Sequence, residues 1–378
     1  MNSKIWLSSP HMGGSELKYI HDAFDANWVA PLGANVDGFE RDLEIFLGGD
    51  VRVSALSAGT AGLHLALIQC GVQAGDEVIC QSMTFSASAN PIVYQGAIPI
   101  FVDSEKDTWN MCPKALEEAI TDRIRKGKKP KAIIVVSLYG MPFKVEEILS
   151  IAKKYDIPLI EDAAEALGST YKNQHCGTFG KFSVLSFNGN KIITTSGGGA
   201  LVCHTQEEKT KTIFLSTQAR DNAPHYQHSE IGYNYRMSNI SAGIGRGQME
   251  VLEDRIKTRR EMNLFYRELF EDIDGVEVLK EPNQDFFSNH WLTAILVDEK
   301  IAGFNREELR LKLAENDIES RPLWKPMHLQ PVFANSPYYE GNVAETLFND
   351  GLCLPSGSNL TTEDRERISR VIKSVISK

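Results

Sequence analysis

The chain has 378 residues, 42% hydrophobic and 24% charged, with 40 Lys+Arg against 50 Asp+Glu and a net charge of −10. That length is large for one core and predicts two domains, while the acidic balance argues against nucleic-acid binding. No apolar run approaches the roughly 18 residues of a bilayer span, and six scattered cysteines form no C-x-x-C pair, so a cytoplasmic protein with reduced thiols and no membrane partner is expected.

In chain order, Ser15 is placed to cap a helix running to Ala26, with Tyr19, Ile20, Ala23 and Phe24 as its apolar stripe. Val36 to Leu47 repeats that periodicity. From Val51 the pattern alternates. Strands are expected over Val51–Leu56, Asp76–Cys80, Ile98–Val102, Ala132–Leu138 and Pro158–Ile160, the last ending on Glu161-Asp162. Helices are expected from the Ser57–Gly62 turn to about Cys70, and over Ser86–Tyr94, Pro113–Arg125 and Val145–Tyr155. The short basic run Arg123–Lys131 reads as a solvated helix end and loop. Such βαβ alternation predicts an α/β fold, a mostly parallel sheet between helices, with ligands outside the carboxyl ends of strands. One long helix is expected from about Ser241 to Phe270. Val276–Leu279, Leu292–Val297, the helix Arg306–Asn316 and a closing helix Thr362–Ser377 read as a smaller α+β domain. The division is therefore 1–245 for the large domain and 246–378 for the small one, led by a connecting helix.

Between the short strands at Val184-Leu185 and Ala200–Cys203 lies a small, polar, glycine-rich loop with one long cation, Lys191. An amine on a tight turn is readily desolvated, which makes it nucleophilic toward a carbonyl. An ordinary loop lysine has the same signature, so its partners decide. Ser57-Ala-Gly59-Thr60 joins a strand to a helix and offers free N–H groups and a hydroxyl, a phosphate cup that is neither a P-loop nor G-x-G-x-x-G. Asp162, ending a buried strand, suits a salt bridge to a protonated ring nitrogen or a helix cap. Phe85 is placed to stack on a ring or to pack in the core, and Ser186 to donate to a phosphate or to stabilise a turn. Together these residues describe pyridoxal 5'-phosphate (PLP) held as a Schiff base on Lys191.

The chain resembles the DegT-type sugar-nucleotide aminotransferases, of the fold type I PLP-dependent transferases. The resemblance runs from Pro10-His-Met-Gly-Gly14 to Leu354-Pro-Ser-Gly357, with its core in Ser57-Ala-Gly-Thr-Ala61, Glu161-Asp-Ala-Ala-Glu165-Ala-Leu-Gly168 and Ser186-Phe-Asn-Gly-Asn-Lys191. Ile192–Gly199, Ser216–Arg220 and Arg321–His328 are similar to enzymes that aminate C4 of UDP-linked 4-keto-6-deoxy-N-acetylhexosamines, as in the bacillosamine pathway. The resemblance implies that Lys191 is the Schiff-base lysine and proton carrier, that Asp162 pairs the ring nitrogen, and that Gly59, Thr60 and Ser186 hold the phosphate while Phe85 stacks. It places Glu165 near the cofactor O3. Asn234 is implied to reach the neighbouring subunit's phosphate in a homodimer with shared sites, and Trp324 and His328 lie in a loop near the nucleotide sugar. Arg220, Arg236 and Arg321 are candidates for the donor carboxylate and the diphosphate. Ala58 and Gly62 stand where many members carry Asn or Ser and Ala, and Pro326 interrupts the Trp-Lys-x-Met-His run; none of these removes a catalytic group. L-glutamate would leave as 2-oxoglutarate, with pyridoxamine 5'-phosphate as the intermediate cofactor form, and the product would enter a bacterial surface glycan. The alternatives are a PLP-dependent sugar dehydratase, which would replace Lys191 by histidine, and a PLP-binding regulator without turnover. A nicotinamide-dependent enzyme, a 4-keto-sugar reductase included, lacks its G-x-G-x-x-G.

Overall fold

The structure, a computed structural model, describes residues 3–376. Its first part consists of α1 (Glu16–Asp25), α2 (Ala34–Phe46), β1 (Arg52–Leu56), α3 (Gly59–Gln69), β2 (Glu77–Gln81), α4 (Ser86–Tyr94), β3 (Ile98–Val102), α5 (Pro113–Arg125), β4 (Ala132–Val136), α6 (Val145–Tyr155) and β5 (Leu159–Asp162). Two short strands follow, β6 (Thr170–Tyr171) and β7 (Gln174–His175), then β8 (Phe182–Ser186), β9 (Gly199–Cys203) and α7 (Gln206–Ser216). The remainder comprises α8 (Asn239–Met249), α9 (Leu252–Leu269), β10 (Val276–Val278), β11 (Phe286–Phe287), β12 (Thr293–Val297), α10 (Glu299–Ala302), α11 (Arg306–Glu315), β13 (Arg321–Pro322), β14 (Tyr338–Tyr339), α12 (Val343–Asp350), β15 (Gly351–Leu354) and α13 (Thr362–Ile376). The expected closing residue Ser377 lies outside the described residues.

The main sheet has the order β1-β9-β8-β5-β4-β2-β3-β14, and β9 alone runs antiparallel to its neighbours. Alternate residues of its strands serve two cores. Val78, Cys80, Phe101, Ile134 and Ile160 join the cluster that contains Leu63, Leu67 and Ile92 of α3 and α4. Ile79, Ile100, Ile133 and Val135 face Leu116 and Ile120 of α5 and Ile148 of α6. With both faces covered, these strands read as continuous apolar runs, which is how the sequence betrays them. A second sheet, β10-β12-β15-β13, packs on α9, α11 and α13 through Tyr266, Leu309, Leu313, Ile368 and Ile372, and this core also takes in Ile5. Strands β11, β6 and β7 form a third, small sheet.

Three expectations change. The helix predicted over 241–270 is two helices, broken at Glu250-Val251, where Val251 takes φ −117° and ψ 6°. The break lets Glu250 accept the Tyr19 hydroxyl at 2.6 Å and seats Val251 on Gly13, where any Cβ would come within 2.9 Å of its side chain. Ser15 occupies the cap position of α1 but makes no capping hydrogen bond; the Glu16 carboxylate instead accepts the N–H groups of Gly13 and Gly14 at 2.6 and 2.8 Å. The main sheet also gains β14, a parallel neighbour of β3 contributed from far along the chain. Among the described residues no helix is long and apolar enough to cross a membrane, and all six cysteines are free.

Strand β9 returns antiparallel because the loop after β8 turns the chain back against the start of α3. A Cβ on Gly199 would overlap the Gly59 nitrogen and the Ala58 carbonyl carbon. Gly199→Ala is accordingly expected to lower the unfolding free energy by at least about 2 kcal/mol, as overpacking against unyielding backbone does. Urea denaturation measures this, and wild-type stability would show that the strand end and the helix start do not touch.

Candidate active site

At the carboxyl ends of β1, β5 and β8 lies a cavity of about 620 Å³ lined by Gly59, Thr60, Thr84, Phe85, Asp162, Glu165, Ser186, Lys191, Trp291, Arg321 and Trp324, among others. Its floor follows from local chain geometry. β1 ends at Leu56, and Ala58 enters α3 in an extended conformation (φ −163°, ψ 157°) with no side chain to cap it. The first-turn N–H groups of α3 are therefore left to a ligand. Gly59 permits the close approach of Ser186, whose Cβ would lie 3.3 Å from a Cβ at position 59.

Lys191 sits on a turn closed by its N–H to the Asn188 carbonyl (2.9 Å), inside a loop tied by Phe187 N–H to Gly198 O and Thr195 N–H to Phe187 O, both 2.9 Å. Its Nζ lies 3.3 Å from Glu165 Oε1 and 4.1 Å from the centroid of the Trp291 ring. The other Glu165 oxygen accepts the Tyr139 N–H at 2.6 Å. Burial pushes the Glu165 carboxyl up to about 7, against the opposing pull of the Lys191 charge. Asp162 closes β5. Its Oδ1 accepts the Ala164 N–H at 3.1 Å and its Oδ2 accepts the Ser88 hydroxyl at 2.6 Å. Burial raises its pKa as well, and the Ser88 bond counters that rise.

A tunnel wall of aromatics completes the cavity. The Trp324 ring lies 5.5 Å from Phe85 and 5.2 Å from Tyr139, centroid to centroid. Phe85 is 56% exposed, which leaves a face open to a planar ligand. Arg321 reaches the rim and pairs with Glu319 at 2.8 Å. The structure thus brings together nine of the thirteen candidate residues named from sequence.

The profile of the DegT/DnrJ/EryC1/StrS aminotransferase family matches residues 10–374. The chain belongs to this family. Among its relatives, EpsN of Bacillus subtilis (strain 168), a proposed pyridoxal phosphate-dependent aminotransferase, is 50% identical over 98% of this chain and 96% of its own. The GDP-perosamine synthase of Escherichia coli O157:H7 is 39% identical over 95% of both chains. The crystal structure of a DegT DnrJ EryC1 StrS aminotransferase from Brucella abortus superposes with a TM-score of 0.89 at 30% identity, covering 96% of both chains. This chain is a fold type I, PLP-dependent sugar aminotransferase.

The DegT-family cofactor fits the residues present. It requires donors for a phosphate, a buried carboxylate for a ring nitrogen, an open aromatic face and an amine. The uncapped α3 turn, Asp162, Phe85 and Lys191 line one cavity and supply these.

Four expected residues stand elsewhere. His328, expected beside the sugar, is 8% exposed and does not line the cavity: its Nδ1 is 2.7 Å from Ser82 Oγ, its Nε2 is 3.2 Å from Glu345 and its ring stacks 3.7 Å from Tyr338. With both nitrogens and the ring face taken, it is left no atom for a substrate in this chain. Arg220 lies over Tyr226 at 4.4 Å, outside the cavity, and Asn234 is exposed in a bridge to Thr217. Arg236 is bound to the buried Glu40. Sequence reasoning missed Trp291, Tyr139 and Ser88. The Thr84/Ser88 pair at helical spacing was a visible signal for the last; nothing in the spacing ties Trp291 to Lys191.

Glu165 also sets a pH dependence. Its folded-state pKa stands above the ordinary 4.5, so in the cofactor-free enzyme its stabilising contribution is present below that value and is lost as pH rises through about 7. Glu165→Gln is expected to flatten the decline in unfolding free energy across that interval, as followed by urea titration at several pH values. An unchanged slope would assign the decline to other groups.

Proposed function

We propose that this aminotransferase moves the amino group of L-glutamate to C4 of a UDP-linked 4-keto-6-deoxy-N-acetylhexosamine, in the cytoplasm, for a bacterial surface glycan. The observation that carries the transaminase chemistry is the Lys191 amine held 3.3 Å from the buried Glu165 carboxyl, in a cavity that also contains Asp162. The bound cofactor supplies an electron sink for a carbanion at the amino-bearing carbon. Lys191 Nζ lifts the α-proton of the donor and returns a proton when the keto sugar accepts the amine. Glu165, with a pKa near neutrality, keeps a carboxyl within reach of that nitrogen and would lie on the O3 side of the bound cofactor. Asp162 would pair the ring nitrogen, Gly59, Thr60 and Ser186 would take the phosphate and Phe85 would stack on the ring. Trp324 and Arg321 would meet the nucleotide sugar.

A charge argument supports a shared site. The cavity lining contains Lys191 and Arg321 against Asp162, Glu165 and Glu319, which is a poor balance for a cofactor phosphate plus a diphosphate. Asn234 and Arg220, both exposed on this chain, serve the partner's site in a homodimer. We read the chain as a large domain over 1–245 and a small one over 246–378, with the cavity drawing on residues of both. The 39% identity to a GDP-perosamine synthase favours, as a second reading, a GDP-linked acceptor with the same C4 chemistry.

Adding L-glutamate alone to the holoenzyme is expected to replace the long-wavelength cofactor band with that of pyridoxamine phosphate, and Lys191→Ala to abolish the change. A band that no amino acid alters would move the regulator reading ahead; turnover with UDP- against GDP-linked 4-keto sugars then separates the acceptors. Hybrid dimers test the shared site. Lys191→Ala and Asn234→Ala chains are each impaired alone; a purified mixed dimer is expected to regain about half of the wild-type activity, because one of its two sites is intact, and a random mixture about a quarter. No recovery in a verified mixed dimer would confine each site to one chain.

A further inference from the structure

The residues just ahead of and inside α4 do more than present Phe85. Thr84 and Ser88 lie one helical turn apart, at 1% and 0% exposure. Thr84 Oγ1 is 2.7 Å from Ser88 Oγ, and Ser88 Oγ is 2.6 Å from Asp162 Oδ2. A hydroxyl has one proton. If Ser88 donates to the carboxylate, Thr84 must donate to Ser88, so the order Thr84→Ser88→Asp162 is set whenever Asp162 is charged. The two hydroxyls thereby offset part of the desolvation that opposes that charge.

We infer that Thr84 and Ser88 form a hydroxyl relay that holds the Asp162 carboxylate charged and fixed at the cavity wall, which makes both of them positioning residues for the cofactor's ring nitrogen. The inference rests on the reading of Asp162 as that nitrogen's partner. The remaining contacts of Asp162 are few. The Ala164 N–H binds its other oxygen, Lys191 attracts it across the cavity, and Glu165 and Cys80 of β2 are the other titratable groups that couple to it. Neither Glu165 nor Cys80 gives Asp162 a hydrogen bond, so the stabilisation of its second oxygen falls to Ser88. The same short segment thus provides a stacking face at Phe85 and a polar anchor three residues on.

The test is a pH titration of the visible absorption of the PLP-loaded enzyme, with PLP affinity measured in parallel by fluorescence. A weaker charge on Asp162 leaves the ring less protonated, and the loss of that neighbouring positive charge raises the proton affinity of the cofactor–lysine linkage. Ser88→Ala is expected to shift the absorption midpoint upward by about one unit, the effect of one hydrogen bond to a charged group. PLP affinity should fall about tenfold and kcat more than KM should change. Thr84→Val should shift the midpoint the same way by less, and Thr84→Ser should restore it; this pair carries the test should Ser88→Ala fail to fold. Asp162→Asn is the reference and should shift the midpoint furthest. If Asp162→Asn moves midpoint and affinity while Ser88→Ala and Thr84→Val leave both at wild type, the relay is overturned and the reading of Asp162 stands. If Asp162→Asn moves neither, that reading falls and the relay falls with it.

Discussion

Everything in this site follows from burying one amine and two carboxyls in the wall of a single cavity. A buried charge without a partner costs several kcal/mol, so each of the three has its own set of partners. Asp162 receives a hydroxyl and an amide N–H. Glu165 receives the Tyr139 N–H and the Lys191 ammonium. Lys191 itself lies between that carboxyl and the face of Trp291, whose π-cloud stabilises a cation without adding an acceptor that must be desolvated. For Glu165, burial and pairing act in opposite directions and leave the carboxyl near neutrality, where it binds or releases a proton at little cost. Asp162 has no need of such poise, and its two donors both favour the charged form.

The fold supplies this arrangement from segments far apart in the chain. Parallel strands end together at one edge of the sheet, which gathers the α3 turn, Phe85 and Asp162. β9, the one antiparallel strand, folds the Lys191 loop back over that edge. Trp291 arrives from the second sheet and is fastened twice: its indole N–H donates to the Asn190 carbonyl at 2.7 Å, and its own carbonyl accepts from Arg259. Arg259 is fully buried with no carboxylate partner among the described residues, and burial lowers its pKa to about 9. Its guanidinium also donates to Ser356 O and Ser8 Oγ. It therefore ties the N-terminal segment, α9 and the lead-in to β12 into one support beneath the lysine.

How much of this was legible depends on the range over which each feature is determined. The strands and helices from 52 to 162 follow from apolar periodicity, because their cores are local in sequence. Lys191, Asp162, Glu165, Gly59, Thr60, Ser186 and Phe85 stand out because small and polar residues interrupt apolar strands at their ends. The break at Val251 was not legible, since it depends on Gly13, and the two-residue β14 is too short to show a pattern. His328 misled because a shared motif preserves a position rather than an environment. The run around it bends into a short turn over Met327–Leu329, and its N–H and ring both face Ser82. Trp291 was hidden for the opposite reason. At the mouth of an apolar strand an aromatic is the expected core residue, and only the tertiary approach of the Lys191 loop gives it another role.

Among the described residues that line the cavity, only Lys191 and Arg321 are cationic, and Arg321 is paired with Glu319. On the proposed reading, an acidic chain would thus hold a phosphate, within its own cavity, with backbone amides at the start of α3 and with hydroxyls rather than with a cluster of arginines. Such donors are fixed by the helix and need no desolvation of a mobile side chain. They would also avoid placing a second full positive charge beside Lys191, where it would compete for Glu165. A neutral phosphate cup and an isolated, carboxyl-paired amine are therefore two halves of one electrostatic solution.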